Sequence, residues 1–488
     1  MRKKTKKKAG SRTKSRVEKP EVKIIKPKKS AKKSSIKPRV QSRAPRKSAK
    51  KKAVPAKKAK ADGAITLSHI TKIEGHASLV LNIQNNKVKK CELAVIEGSR
   101  YFEGMLKDRR YDEASEITSR ICGICSCAHT VCAITAIENA LNVRVSKQTE
   151  ELRKLLMMGE RIRSHATHLY FLALPDFLGY ESAMQMLPKF KKQVHDALKL
   201  MKAGNEIVKL VGGRDIHPVA ATVGGFHVVP TSDEIYRIKT ELQIAKKTAV
   251  ATAELFAKLK YPDFSPEATT YLSLHNPFEY PILHGAIKTP EKLFKKTEFH
   301  KFIKEYHEPR SSANFAVKEG KAYFTGALAR VNNNSAALSQ TARKLLKHSK
   351  FKFPSRNPFL NNYCQAIELV HCIDHSIAIC QDLARIKPEP LAAVSVRESY
   401  GIAAVEVPRG VLWHEYKLNS VGTIVKANIV TPTSQNLRKI EDDIKAFLPE
   451  LLASTKDRDT IVLEIEKLIR AYDPCFSCST HFLDVKWG

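Results

Sequence analysis

Negative charge is nearly missing where this chain begins. The first 60 residues hold 27 Lys and Arg against two Asp and Glu, so they carry +25 of the chain's formal +36. Apolar side chains are scarce there too, with Ile24-Ile25 the best patch on offer. A segment that cannot bury a core is expected to stay disordered. Its basic start is followed by no apolar stretch, which argues against a secretory signal. Elsewhere no apolar run approaches the roughly 20 residues that a membrane-spanning helix needs. The expected location is therefore the cytoplasm, with no membrane contact. The basic tail has no interleaved aromatics to stack on bases. Its charge would support only non-specific, salt-sensitive contact of residues 1–60 with nucleic acid or another anionic surface. No Gly-x-Gly-x-x-Gly follows a strand-like segment, so the chain has no dinucleotide site of its own. In a reducing compartment its ten cysteines are expected to be metal ligands or buried thiols rather than disulfides.

What is present beyond the tail is apolar enough for one large domain or two closely packed lobes. Loose alternation predicts a β-hairpin over 64–83 and 88–97. Helical spacing then takes over. A helix is predicted over 127–141, with Ser126 as N-cap. A second runs over 149–174 on the stripe Leu152, Leu155, Gly159, Ile162, Ala166 and Leu169, with Pro175 stopping it. Further helices are expected at 185–211, 232–259, 335–347, 362–384, 434–453 and 456–471, around a β-rich stretch at 390–430. The fold class is thus mainly α with small β, a bundle of long helices with peripheral sheets.

Two Cys-x-x-Cys pairs lie some 350 residues apart, Cys122/Cys125 and Cys475/Cys478, and a histidine follows each, His129 and His481. Four thiolates suit a soft metal ion. Ligands so far apart can meet only in the finished fold, whereas structural zinc sites usually draw on a compact segment. Spacing alone leaves structural zinc, an iron–sulfur cluster and a catalytic nickel or iron centre open. Arg120 and the nearby helix ends are expected to favour the thiolate form. The other cysteines with helical spacing, Cys127, Cys132, Cys364, Cys372 and Cys380, read as buried thiols. His76, His165, His168 and His217 read as satisfied core histidines, and His129 as a hydrogen-bond partner behind the ligands.

Five segments, in order, resemble the large, catalytic subunit of nickel–iron hydrogenases. They are Thr71-Lys72-Ile73-Glu74-Gly75-His76, Arg120 to His129, Glu406-Val407-Pro408-Arg409-Gly410, Thr431-Pro432-Thr433-Ser434-Gln435-Asn436, and Asp473 to His481. Lys72 stands for the family's usual Arg, and Val407 for its Ala. The Ser164–His168 and Gly212–Pro218 segments look like the soluble, cytoplasmic, NAD(P)-linked branch. Ser164 departs from the aspartate of many membrane-bound relatives. The quinone-site subunit of respiratory complex I shares the fold but lacks the cysteines.

The resemblance implies reversible heterolytic cleavage of dihydrogen. Cys122, Cys125, Cys475 and Cys478 would hold nickel, and Cys125 and Cys478 would bridge to an iron carrying cyanide and carbon monoxide. Cys475 would take the proton and Glu74 pass it on, while Arg409 would hang over the open metal position. Pro408 and Thr433 would flank the cyanides. Glu103 and His481 would belong to a second, redox-inert site for magnesium or iron. Iron–sulfur clusters and flavin would sit in partners. These would be a small iron–sulfur subunit, plus a diaphorase pair reaching NAD(P), unless another carrier such as a deazaflavin, a heterodisulfide or ferredoxin serves. Residues 482–488 resemble an extension that a maturation protease removes. The expected organisation is a basic tail at 1–62, the catalytic domain at 63–481 and that extension. Arg409 could instead pair structurally with Glu406 or Glu398, and Glu74 could be a surface carboxylate.

Overall fold

Strict alternation of buried and half-buried residues in Ala77–Gln84 turns Leu79, Leu81 and Ile83 inward. This strand (β2) pairs antiparallel with β1 (Gly63–Leu67) and β3 (Lys87–Val95). The structure, a computed structural model, describes residues 63–480 apart from Asn86, Ser99, Glu267 and Ala268. The expectations for the basic tail, His481 and residues 482–488 lie outside the described residues. The strand predicted over 64–83 is two strands. Residues 68–76 leave the sheet between them, and that excursion carries Glu74.

Among the described residues, seven long helices and one short one, the fifth of these eight, form the core. They are α1 (Ser126–Leu141), α2 (Lys147–Thr167), α3 (Lys191–Gly212), α4 (Ser232–Lys258), α5 (Ala327–Asn334), α6 (Asn361–Asp382), α7 (Pro432–Ser454) and α8 (Arg458–Ala471). Their starts follow local chemistry. Ser146 Oγ accepts from Thr149 N at the head of α2, and Asp457 caps α8 through Thr460 N. Thr231 and Glu234 cap α4 reciprocally. Pro175 does not end the second helix. After α2 the chain widens into a π-helical stretch, His168–Ala173, and Pro175 then sits in the first turn of a short helix, Leu174–Leu178. Proline is tolerated there because first-turn N–H groups have no intrahelical partner. Gly179, in the left-handed region, is what closes it.

Three antiparallel strands, β4 (Ser399–Val407), β5 (Gly410–Leu418) and β6 (Ile424–Val430), make the second main sheet. β4 and β5 are buried along nearly their whole length, deeper than a peripheral sheet, and pack on α1. Burial of both faces fits the apolar run at 401–405 in β4, while polar residues within the strands are partnered, Glu406 by Arg330 and His414 by Tyr416. The tight β4–β5 turn is Val407-Pro408-Arg409-Gly410. Gly410, at φ 137°, is needed there, because a Cβ would lie 2.4 Å from Thr325 Oγ1.

Candidate metal centre

Four segments converge on one buried point. The Cys122–Cys125 loop enters α1, and the Cys475–Cys478 segment leaves α8. All four sulfurs are buried, and their ligand atoms lie within 4.8 Å of one another. Cys122 Sγ is 3.4 Å from Cys475 Sγ, and Cys475 Sγ is 2.9 Å from Cys478 Sγ. Among the described residues no other His, Cys, Asp or Glu group could hold a metal ion. The donor set itself is the test of fit: four soft thiol sulfurs, shielded from water, suit a soft metal. Hydrogen bonds from Cys125 and the other two thiols pull Cys122 well below the usual thiol range. Cys475 and Cys478 are pushed up, the first by burial and the second by its neighbours Cys122 and Cys125. The remaining thiols behave differently. Burial above all drives Cys91, Cys372 and Cys380 up to about 12.

The nearby cation is Arg409, not Arg120. Arg120 faces outward and pairs with Glu116 one helical turn earlier. Arg409 is 3 % exposed, and its Nη1 lies 3.4 Å from both Cys125 Sγ and Ser164 Oγ. Neither anticipated partner, Glu406 or Glu398, holds it. Asp473 does: Arg409 Nη2 donates to Asp473 Oδ1 at 2.9 Å and Nε to the Asp473 carbonyl at 2.7 Å. Asp473 sits in the left-handed region at φ 51°, a conformation Asp tolerates better than most residues. Ser164 stands beside Arg409, where the sequence marked a departure.

Glu74 reaches the centre from the loop between β1 and β2. Cys475 Sγ donates to Glu74 Oε2 at 3.0 Å, Ser477 N donates to the same oxygen at 3.2 Å, and Ser477 Oγ contacts Oε1. The two segments also pair through the backbone, Phe476 N donating to Glu74 O at 3.0 Å. Gly75, at φ 83°, makes this possible, since a Cβ would lie 3.0 Å from both Phe476 Cβ and Ser477 N. The loop is anchored behind by Arg470, which donates to Thr71 O, and by Lys72, which pairs with Asp176. Thr433 lies in the first turn of α7, where its Oγ1 accepts from Cys475 N at 3.0 Å. Pro408 precedes Arg409 in the β4–β5 turn. Glu103 is half-buried and accepts from Ile429 N at 2.7 Å.

Sequence reasoning missed the residues that act through backbone atoms. Ser126 does not cap α1. Its Oγ accepts from His217 N, and Glu160 takes the capping role, accepting from Cys127 N at 2.7 Å and Ala128 N at 3.3 Å. One turn on, Arg163 donates to the carbonyls of Gly123 and Ile124, between the first two cysteines. The charged helical pattern around Glu160 and Arg163 was the available signal: ionic side chains on a helix flanked by apolar residues. His168 is a satisfied core histidine, bonded to Gln365 and the Arg470 carbonyl. His165 pairs with Glu368 through Nε2, while its buried Nδ1 has no partner among the described residues. His217 is half-buried and meets the Ser119 carbonyl. His76 is exposed and pairs with Glu97 instead. His129 meets His414 at 3.1 Å.

The sequence pattern of nickel-dependent hydrogenases matches residues 100–196 and 321–481. The alpha subunit of sulfhydrogenase 1 from Pyrococcus furiosus is 34 % identical over 420 residues, covering 86 % of this chain and 97 % of its own length. This chain belongs to the nickel-dependent hydrogenase family. Other hydrogenase relatives include a component of the F420-non-reducing hydrogenase of Methanothermobacter marburgensis, 30 % identical over 86 % of this chain and 95 % of its own. The beta subunit of the NAD-reducing hydrogenase HoxS from Cupriavidus necator is 24 % identical over the same shares. The hydrogenase fold agrees. A solved NAD+-reducing [NiFe]-hydrogenase gives a TM-score of 0.79 at 22 % identity, covering 86 % of this chain and 99 % of that one. The Ni-Fe-Se hydrogenase of D. vulgaris Hildenborough gives 0.70 at 22 % identity, covering 86 % and 100 %. The chain is thus a hydrogenase large subunit whose four cysteines are positioned for a metal centre. Among its described residues no helix is long and apolar enough to cross a membrane.

Proposed function

We propose that this hydrogenase large subunit holds nickel on Cys122, Cys125, Cys475 and Cys478, with Cys125 and Cys478 shared with an iron that carries cyanide and carbon monoxide. The observation that carries the reading is the enclosure of four sulfurs within 4.8 Å of one another. When bound, such a centre supplies the Lewis acidity that polarises dihydrogen towards heterolysis. The chain's own groups do the rest. Cys475 Sγ holds the proton, and Glu74 Oε2, 3.0 Å away, receives it. Arg409 places a fixed cation against the sulfurs, with little reorganisation because Asp473 grips it twice. Thr433 fixes Cys475 N and keeps its own hydroxyl proton for a cyanide on the iron, which Pro408 would also flank. Glu103, together with His481, is the proposed seat of magnesium or iron.

The electrons need partners, because the sequence has no second cysteine cluster and no dinucleotide motif. We assign them first to an iron–sulfur small subunit, then to NAD(P) through flavin-containing diaphorase subunits. The NAD-reducing relative supports that carrier. Relatives named sulfhydrogenase and F420-non-reducing hydrogenase favour a second reading, the same catalysis linked to another carrier. Residues 1–62 are proposed to be dispensable for chemistry, and residues 482–488 to be removed by a maturation protease after His481.

The test is to purify the chain with its partners and measure nickel content, infrared bands of metal-bound cyanide and carbon monoxide, and dihydrogen-driven reduction of NAD and NADP. Nickel, the bands and turnover are expected, with or without residues 1–62. Zinc alone without bands in the matured complex would sink the metal assignment. Turnover only with a non-nicotinamide dye would select the second reading.

A further inference from the structure

Among the described residues, Arg330 is the most fully used arginine. It lies on α5, is 0 % exposed, and spends all five N–H donors. Nε donates to Glu368 Oε1 at 2.5 Å and Nη2 to Glu368 Oε2 at 2.7 Å. Nη1 donates to Glu406 Oε2 at 2.8 Å. The last two donors go to backbone: Nη1 to the Val407 carbonyl at 2.8 Å and Nη2 to the Pro408 carbonyl at 2.9 Å. Those are the two residues immediately before Arg409. Arg161 adds a bond from the other side, Nη2 to the Glu406 carbonyl at 2.7 Å.

We propose that Arg330 is a positioning residue that sets where the Arg409 guanidinium stands over the four sulfurs. The inference rests on the reading that Arg409 acts at that centre. Arg409 is held at its tip by Asp473 and at its root by Arg330. A guanidinium 3.4 Å from Cys125 Sγ has no slack, so a shift at the root reaches the tip. All five Arg330 donors go to Glu368, Glu406 and the two turn carbonyls, and none to a sulfur. The influence of Arg330 therefore runs through the turn. Only a planar fork can bond two carbonyls and two carboxylates together; a lysine ammonium has three donors and cannot. Glu368 orients that fork bidentately, and His165 Nε2 and Tyr280 OH, at 2.8 and 2.6 Å, orient Glu368.

A double-mutant cycle tests this, read as turnover per bound nickel in the complex with its partners. Arg330→Lys is expected to lower turnover on the order of 10–100-fold when Arg409 is present. In the Arg409→Lys background the same change should cost less than about threefold, because the group being positioned is gone. Equal losses in both backgrounds would overturn the proposal. If Arg409→Lys alone leaves turnover unchanged, the reading of Arg409 fails instead. A second readout needs no metal. Amide exchange in residues 404–411 should quicken in Arg330→Lys while exchange in α2 stays as before; uniform quickening, or none, counts against the proposal. Should Arg330→Lys yield no folded protein, Glu368→Gln loosens the fork while keeping its shape. It must show the same dependence on Arg409, and its indifference to Arg409 would overturn the idea.

Discussion

A thiol and a carboxylate 3.0 Å apart, Cys475 and Glu74, form the proposed proton exit of the centre at the level of single residues. Glu74→Gln keeps the shape and the bond from Ser477 N but replaces the carboxylate by an amide, a far poorer proton acceptor. Dihydrogen oxidation should fall on the order of 10²–10⁴-fold with nickel content unchanged. Undiminished oxidation in a nickel-replete Glu74→Gln enzyme would remove Glu74 from the route. At this scale the sequence was legible where a residue stands inside a motif: the four cysteines, Glu74, Arg409 and Thr433 do come together. It was opaque where a side chain serves a distant backbone. Glu160, Arg163 and Arg330 act on peptide groups, and a sequence shows no peptide group as special. Asp473 was visible inside its motif, yet its hold on Arg409 depends on a left-handed backbone that no spacing announces. Arg120 misled because it stands next to Cys122 in sequence while its side chain points away to Glu116.

Helix spacing carries the next level. Helices α2 and α3 cross at Gly159 and Gly204, where a Cβ on Gly204 would lie 2.6 Å from Gly159 O and 2.7 Å from Arg163 N. No flexible side chain is there to give way, so the backbones must part. Gly204→Ala should cost roughly 1–3 kcal/mol as overpacking, read as a lowered melting temperature. It should also loosen Arg163 and hence the Gly123-Ile124 carbonyls. An unchanged melting temperature would show that the crossing relaxes freely. Apolar period 3.6 made most helices readable to within a few residues. The break at residues 68–76 was not, because Ile70 is buried and Ile73 half-buried, so the alternation ran on while the chain had already turned to deliver Glu74. Pro175 was given the wrong meaning for a related reason: a proline ends one helix and begins another with the same residue type.

Across the whole molecule, the centre joins parts of the chain that are far apart in sequence. Cys122 and Cys475 are separated by 353 residues, and their sulfurs meet through no covalent bond of the protein. A metal held by both pairs would close that span into a ring, much as a disulfide does. The chain-entropy estimate for a ring of this size is about 6 kcal/mol, taken from the freedom of the unfolded chain. Cofactor loading would then be a stability event as well as a catalytic one. The nickel-loaded chain should melt well above the unloaded one and resist proteolysis longer, and coincident melting of the two forms would contradict it. The cell would accordingly read an unfilled centre as a floppier protein, which gives protein quality control a physical basis for telling finished enzyme from unfinished.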